Sequence, residues 1–256
     1  MMSEFKIYLF YQFNKLYHNF PPLYRLLYFL YKKISDRDKI RIINKHVKKG
    51  MKVLDIGANI GFYTMLLARL VGEEGIVYAF EPDKVNFNFL KRLTTNLCNV
   101  KVVNAACGIK SGITYLYLSK KMNIDHQVYE SSEYRERIEV EMISVDDYFK
   151  SDIIDFIKID VQGYDYFVFK GMKKTIALSP NIFIIGELWP YGLKRAGSSA
   201  NEYLSEFKQA GFDIDLIYKG EFIDFSLYDE DKLFYIDFIA QRKKAEILIE
   251  SVMLKV

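Results

Sequence analysis

A turn with two glycines, VLDIGANIGFYT, follows the first strongly apolar run of the domain and leads into a helix-like run. It carries Asp55, Gly57, Asn59 and Gly61. A dinucleotide fingerprint needs G-x-G-x-x-G, but in that register Asn59 and Phe62 stand where the second and third glycines belong. A phosphate loop needs four residues between its glycines and a lysine after them, and neither is present. The spacing therefore argues against a phosphate ligand.

Two carboxylates mark the ends of the first two predicted strands. Asp55 ends the first strand, and Glu81 follows the second in the sequence AFEP. A carboxylate at Asp55 would repel a phosphate and attract an amino group, and Glu81 is placed to accept hydrogen bonds from both hydroxyls of a ribose. A ligand that joins an ammonium group to a ribose without a phosphate satisfies both. The pair therefore predicts S-adenosylmethionine as cofactor.

The composition is that of a globular protein with one core. The chain has 256 residues, of which 50% are hydrophobic and 27% are charged. The net charge of +3 and the scattered basic doublets do not indicate nucleic acid binding. The two cysteines form no metal-binding spacing and no disulfide framework, and no apolar run reaches about 20 residues. We therefore predict a cytoplasmic protein without a nucleic acid partner.

Apolar runs alternate with amphipathic runs from Met51 onward. The strand-like runs are KVLDIG, GIVYAFE, VKVVNAA, DFIKIDV and NIFIIGEL, with helix-like runs between and after them at 61–71, 83–97, 164–178 and 200–210. This alternation is typical of a mostly parallel α/β sheet with helices on both faces. Three further strand-like runs end the chain, and the last, LFYIDFIAQRK, is expected in the same sheet as an antiparallel edge strand.

The chain divides into three predicted parts. Residues 1–44 are an aromatic-rich helical extension, residues 45–244 the α/β domain, and residues 245–256 a C-terminal tail. An insertion at 111–149, between the third and fourth strands, carries two strand-like runs and a polar loop. Loops of this kind diverge freely on a shared fold, so we expect acceptor contacts from the insertion.

The aromatic segment at residues 5–34 has two readings. Tyrosine and phenylalanine alternate with cations there, and Pro21-Pro22 predicts a break into two helical pieces. The segment would either lay an aromatic face on the domain or rest peripherally at a membrane interface. The sequence leaves both readings open.

Five blocks carry the most specific pattern of the chain. They are VLDIGANIGFYT, AFEPDKVNFNFLKRLTTN, VNAACG, SVDDYFKSDIIDFIKIDVQGYDYFVFKGM and IFIIGEL, spread over roughly residues 45–240. Together they resemble the FkbM family of S-adenosylmethionine-dependent methyltransferases. The resemblance implies a Rossmann-like class I methyltransferase fold and O-methylation, commonly of hydroxyls on sugars or secondary metabolites. One departure is Asp165, where the family often has glutamate.

The resemblance also assigns roles by position. It implies that the glycine turn shapes the methionine and ribose pocket and that Glu81 holds the ribose; the turn residues are Asp55, Gly57, Asn59 and Gly61. Ala106, after the third strand, is expected near the adenine on the general fold alone.

Methyl transfer from a sulfonium is an in-line displacement, so aligning the reactants is the main task of the protein. A hydroxyl acceptor must also lose its proton to a base. The candidates are Asp160 and Glu187, at the ends of the fourth and fifth predicted strands, His126 in the loop NIDHQVYE, and Asp165. The two carboxylates at the strand ends would alternatively share a divalent metal, which nothing in the sequence supports.

Three functions remain after these observations. The first is O-methylation of a hydroxyl on a sugar, glycan or glycolipid precursor. The second is methylation of a non-sugar secondary metabolite. The third is a catalytically silent binding module in a glycan-assembly complex, which the intact Asp55, Glu81 and Asp160 disfavour. The oligomeric state is not indicated.

Overall fold

The computed structural model describes residues 20–119, 126–130, 136–218, 221–223 and 235–242. Within these ranges strands and helices alternate along the chain, and the strands form two separate sheets.

The strands of the described part are β1 Lys52–Ile56, β2 Ile76–Phe80, β3 Val100–Val103, β4 Ala106–Cys107, β5 Gly112–Leu118, β6 Glu136–Ile143, β7 Phe156–Ile159, β8 Phe183–Leu188, β9 Phe212–Tyr218, β10 Glu221–Ile223 and β11 Ile236–Arg242. The helices are α1 Pro21–Ser35, α2 Arg37–His46, α3 Phe62–Val71, α4 Lys84–Leu93, α5 Val145–Phe149, α6 Asp165–Lys170, α7 Lys173–Leu178, α8 Pro190–Arg195 and α9 Ala200–Gln209.

The larger sheet has eight strands in the order β10-β9-β11-β8-β7-β1-β2-β3. From β3 to β8 neighbouring strands are parallel, because each connection returns over a face of the sheet and carries helices. Successive residues of a strand point to opposite faces, and Val53 and Leu54 accordingly belong to two different hydrophobic clusters. The expected Rossmann-like fold, with helices on both faces and an N-terminal helical extension, is confirmed.

The expectation that the last strand lies at an edge is wrong. β11 pairs antiparallel with β8 on one side and with β9 on the other, and β10 forms that edge of the sheet. The interior position suits the sequence of β11, since Ile236, Phe238, Ile239 and Ala240 are all buried.

Two predicted helices are shorter than expected. The run at 164–178 forms two helices, α6 and α7, separated at Gly171. A Cβ on Gly171 would lie 1.9 Å from the Gly108 carbonyl oxygen, so the helix breaks where it passes close to the chain after β4. The run at 83–97 ends at Leu93, because the residues after it form turns.

The insertion forms the smaller sheet, with strand order β4-β6-β5. β5 and β6 are antiparallel, and the short β4 pairs parallel with β6. The small sheet has a hydrophobic core of its own, which consists of Ala106, Leu116, Val140 and Met142. This sheet is joined to the crevice by residues 126–130, which lie between the described ends of β5 and β6.

The N-terminal extension packs on the domain through its aromatic face. Tyr24 and Tyr28 of α1 are buried in one cluster with Phe62 and Tyr63 of α3. The packing supports the interpretation that the segment lays an aromatic face on the domain. Residues 5–19 of the segment lie outside the described residues, as do residues 245–256 of the predicted tail. Within the described part of the chain, no helix is long and apolar enough to cross a membrane. The sequence pattern gave no sign of the second break, at Asp36 between α1 and α2.

Candidate active site

The glycine turn between β1 and α3 is held in an unusual backbone conformation. Gly57, Asn59 and Gly61 all have positive φ angles, of 81°, 50° and 95°. Gly57 and Ala58 both donate backbone hydrogen bonds to the Phe80 carbonyl, which fixes the turn against the end of β2. A side chain is also excluded at Gly57, because its Cβ would lie 1.9 Å from the backbone oxygen of Asp160. The turn therefore brings three strand ends together.

Glu81 is bound to the same turn. Its Oε2 accepts a hydrogen bond from the Asn59 N–H at 2.7 Å, and its Oε1 accepts one from the Asp83 N–H at 3.0 Å. Burial raises the pKa of this carboxyl to about 7. The Asn86 side chain donates a third hydrogen bond to this carboxyl. A carboxylate has about four acceptor sites, so Glu81 keeps capacity for a hydrogen bond from a ligand hydroxyl.

Asp55 is fully buried, and only one of its two oxygens is hydrogen-bonded. Oδ2 accepts a bond from the Thr64 hydroxyl at 2.6 Å. Oδ1 accepts none, although the Lys158 ammonium lies 3.4 Å away. This oxygen is therefore ion-paired with Lys158 without accepting a hydrogen bond, and it keeps hydrogen-bonding capacity that suits an ammonium group. The residues present thus fit the methionine and ribose ends of S-adenosylmethionine.

Lys158 links the carboxylates at the ends of β1 and β7. It is buried on β7 and donates a hydrogen bond to the Gly57 carbonyl at 2.9 Å. Its ammonium also lies 3.6 Å from Asp160 Oδ2 and 5.2 Å from the centre of the Tyr63 ring. The lysine is thereby surrounded by carboxylates that offset the cost of its burial.

Asp160 begins a tight turn at the end of β7. Its Oδ1 accepts a hydrogen bond from the Gln162 amide at 3.0 Å. Although burial acts to raise its pKa, Lys158, Lys39 and Lys32 lower it, so this carboxyl stays charged.

Asp165 closes the same turn. Its Oδ2 accepts the Gly163 N–H at 3.0 Å, while its buried Oδ1 accepts no hydrogen bond. Burial and the neighbouring Asp160 raise the pKa of Asp165 to about 7. Asp165 therefore supports the turn that presents Asp160.

Glu187 is the next-to-last residue of β8 and is half-buried beside Asp237 of β11, its partner in the antiparallel register. Among the described residues, no group donates a hydrogen bond to its carboxylate. Burial, followed by the charge of Asp160, raises the pKa of Glu187 well above its usual value. Asp237 is different, because the buried Lys39 ammonium lies 2.6 Å from its Oδ1.

The N-terminal helices reach this crevice through Tyr63. The Tyr63 hydroxyl donates a hydrogen bond to Asp36, which also pairs with Lys32. The ammonium groups of Lys32 and Lys39 lie 5.4 and 5.9 Å from the Tyr63 ring. Sequence reasoning missed all these residues, and their only signal is the density of charge in residues 32–39.

His126 is positioned by the backbone. Its Nδ1 accepts a hydrogen bond from the Ser119 N–H at 3.0 Å. A neutral histidine whose Nδ1 accepts carries its proton on Nε2, so in this arrangement the ring presents an N–H donor, and its role as base stays a prediction. From the same segment, the Tyr129 hydroxyl donates to the Gln162 carbonyl at 3.0 Å, so the segment does reach the Asp160 turn.

Two further expectations concern the place of Ala106 near the adenine and a divalent metal shared by carboxylates. Ala106 lies on β4, buried in the small sheet, and its place near the adenine stays a prediction. Within the described residues, no group of three or more histidine, cysteine, aspartate or glutamate side chains is arranged to hold a metal ion.

The arrangement has two chemical ends. At one end, Asp55 and Glu81 offer carboxylates to an ammonium group and a ribose. At the other end, Asp160 and Glu187 offer carboxylates at the ends of neighbouring parallel strands, where ligands bind in open α/β sheets.

The methyltransferase FkbM domain matches residues 55–214, which is more than half of the chain. A comparison with curated protein sequences found no significant match.

Two solved structures share the fold. A candidate rRNA methylase from Clostridium thermocellum has a TM-score of 0.51 at 15% identity, covering 79% of this chain and 94% of its own. A candidate methyltransferase from Streptococcus mutans, solved with S-adenosylhomocysteine, has a TM-score of 0.50 at 12% identity, covering 81% and 96%. At these identities the likeness shows the fold alone. With its family match and a crevice that fits S-adenosylmethionine as cofactor, the chain belongs to the FkbM methyltransferase family.

Proposed function

We propose that the protein transfers the methyl group of S-adenosylmethionine to a hydroxyl of a sugar, glycan or glycolipid precursor. The observation that carries this proposal is the pair of carboxylates, Asp160 and Glu187, beyond the cofactor end. Within the described residues, the Glu187 carboxylate accepts no hydrogen bond. A carboxylate in that position suits the removal of a hydroxyl proton.

The cofactor end binds and orients. Asp55 Oδ1 holds the ammonium group of the methionine part, and Glu81 accepts the ribose hydroxyls. The rigid turn from Gly57 to Gly61 leaves room for contacts between the ligand and the protein backbone. When bound, the cofactor supplies an activated methyl group on a sulfonium, so the remaining requirement is alignment with the acceptor.

The acceptor end handles the proton. Burial and the charge of Asp160 raise the pKa of Glu187, and a carboxylate with a raised pKa is a stronger base than an ordinary one. Asp160 stays charged and is already bonded to Gln162, so it orients an acceptor hydroxyl by accepting a second hydrogen bond.

Two observations support a hydroxyl-rich acceptor. Asp160 and Glu187 together provide several acceptor lone pairs for neighbouring hydroxyls. Trp189, which is half-buried directly after β8, provides an aromatic face of the kind that packs on sugars. A non-sugar secondary metabolite with a hydroxyl would need only the base, and a silent binding module would need neither carboxylate.

Methyl transfer tests this proposal directly. S-Adenosylmethionine with a radiolabelled methyl group is incubated with the enzyme and with glycan, glycolipid and small-molecule fractions of cells. We expect label in a carbohydrate fraction, and Glu187→Gln should lower the rate about 100-fold or more. The matched control is Glu141→Gln, an exposed glutamate on β6. Label only in a non-carbohydrate fraction would support the metabolite alternative, and label in none would support the silent module.

We further propose a cytoplasmic enzyme that contacts membranes peripherally through α1. The supporting observation is an exposed apolar stripe at helical spacing, opposite the buried face of the helix. Its members are Leu23, Leu26, Leu30 and Ile34, which are 45, 57, 48 and 77% exposed. The helix contains no acidic residue, which suits an anionic lipid surface.

Vesicle flotation tests the membrane contact. The wild type should float with vesicles that contain phosphatidylglycerol, and Leu26→Glu should remain at the bottom of the gradient. Ile113→Glu, at a 72% exposed position on β5, is the matched control and should float like the wild type. A wild type that does not float would contradict the proposal.

A further inference from the structure

An ion pair between a buried lysine and a half-buried aspartate, both from outside the matched family domain, lies beside Glu187. Lys39 belongs to α2 and Asp237 to β11, so both fall outside residues 55–214. Lys39 is only 6% exposed, and its ammonium lies 2.6 Å from Asp237 Oδ1. Burying a lysine is costly unless it is paired, so a charge at this depth has to be held by its partner.

Asp237 and Glu187 stand side by side on the sheet. They are register partners in the antiparallel pairing of β11 with β8, which puts their Cβ atoms about 5 Å apart on one face. Two carboxylates at that separation repel each other and would compete for the same acceptor hydroxyl. Lys39 removes the competition, because it binds Asp237 and not Glu187.

We propose that the Lys39–Asp237 pair positions Glu187 as the general base for the acceptor hydroxyl. This inference rests on the proposed O-methyl transfer. In the reaction the hydroxyl oxygen forms a bond to the methyl carbon, and the carbon–sulfur bond breaks with its electron pair staying on sulfur. The hydroxyl proton passes to an oxygen of Glu187. The products are a methyl ether, S-adenosylhomocysteine and a protonated Glu187.

The charges around Glu187 come from several elements. The groups that face it are Asp160 after β7, Lys39 of α2, Asp237 of β11, Asp165 of α6 and Tyr235 before β11. Burial contributes most to the raised pKa of Glu187, and the three aspartates add to it, whereas Lys39 lowers it. Lys39 and Asp237 therefore act on Glu187 with opposite signs, although they belong to one ion pair.

The opposite signs permit a test that needs no acceptor. The carboxyl carbons of glutamate are labelled with ¹³C, and the Glu187 resonance is assigned from its loss in Glu187→Gln. Its titration is then followed in the wild type, Lys39→Met and Asp237→Asn. We expect the midpoint to move to higher pH in Lys39→Met and to lower pH in Asp237→Asn. Lys39→Arg, which keeps the positive charge, should have the same midpoint as the wild type.

A merely structural pair would behave differently. Loosening the fold would move both midpoints in the same direction, toward that of an exposed glutamate, and this outcome would overturn the proposal. Unchanged midpoints would overturn it as well. Should Lys39→Met not fold, Asp237→Asn and Lys39→Arg decide the matter, since only the first is expected to shift the midpoint.

Failure of the proposed function is distinguishable from failure of this inference. Once an acceptor fraction has been identified by its radiolabel, the methyl-transfer rate is measured as a function of pH. The acidic side of this pH profile should follow the NMR midpoint of Glu187 in each variant. Opposite NMR shifts without any methyl transfer would leave the electrostatic positioning intact and remove the proposed reaction. If methyl transfer occurs but its pH profile is the same in both variants as in the wild type, another group takes the proton. This outcome would overturn the role of the pair.

Discussion

The α-carbon of Gly57 lies so close to the carbonyl of Asp160 that an added Cβ would be 1.9 Å from that oxygen. Gly57→Ala must therefore push apart the ends of β1 and β7. We expect it to lower the free energy of unfolding by about 3 kcal/mol or more, through a backbone clash added to a strained positive φ. Urea unfolding of the purified protein measures this value.

Gly50 provides the matched control for Gly57. Both glycines have a φ of 81°, but an added Cβ at Gly50 meets nothing within 4 Å. Gly50→Ala should therefore show the cost of the φ angle alone, about 1 kcal/mol. Equal losses in the two variants would mean that the close approach of the strand ends does not exist.

Lys158 should be much more important for stability than an exposed lysine. Lys158→Met leaves the buried Asp55 and the half-buried Asp160 without their shared cation, so we expect a loss of about 3–5 kcal/mol in the free energy of unfolding. Lys52→Met is the control, since Lys52 pairs with Asp152 at 3.1 Å on the surface and should cost at most about 1 kcal/mol. Similar values for the two variants, from urea unfolding, would contradict the buried network.

Glu81 should make the protein without cofactor less stable as pH rises. Its pKa is about 7 in the folded protein and near 4.5 when exposed, so the folded state binds the proton more tightly. The charged form destabilises the fold, and this penalty appears as pH rises from about 4.5 to 7. In Glu81→Gln the fall of stability over this window should be less steep, which urea unfolding at a series of pH values measures. An identical slope in both proteins would show that Glu81 keeps an ordinary pKa.

The part of the fold that follows local pattern was predictable. The strands that carry the cofactor crevice appear in the sequence as short apolar runs, and their ends carry Asp55, Glu81, Asp160 and Glu187. Parallel strands align such ends at one edge of the sheet, so these four residues were assigned to one crevice without coordinates.

The rest depends on contacts between distant parts of the chain. Lys39 and Asp237 meet only because α2 folds over the sheet and β11 inserts between β8 and β9, and neither event leaves a local pattern. The break at Gly171 arises from a close approach to Gly108, which an amphipathic run does not reveal. The hydrogen bond that His126 accepts comes from a backbone N–H, so the pattern of side chains in the sequence does not predict it.

The most direct test of the cofactor crevice is calorimetric titration of S-adenosylhomocysteine into the wild type, Glu81→Ala and the surface control Glu141→Ala. The account predicts binding to the wild type and to Glu141→Ala with equal affinity. Glu81→Ala should bind about 10- to 100-fold more weakly, because the charged hydrogen bonds to the ribose are worth about 1.5–3 kcal/mol. Equal affinity of Glu81→Ala and the wild type would contradict the assignment of the ribose to Glu81, and no binding to the wild type would contradict the crevice itself.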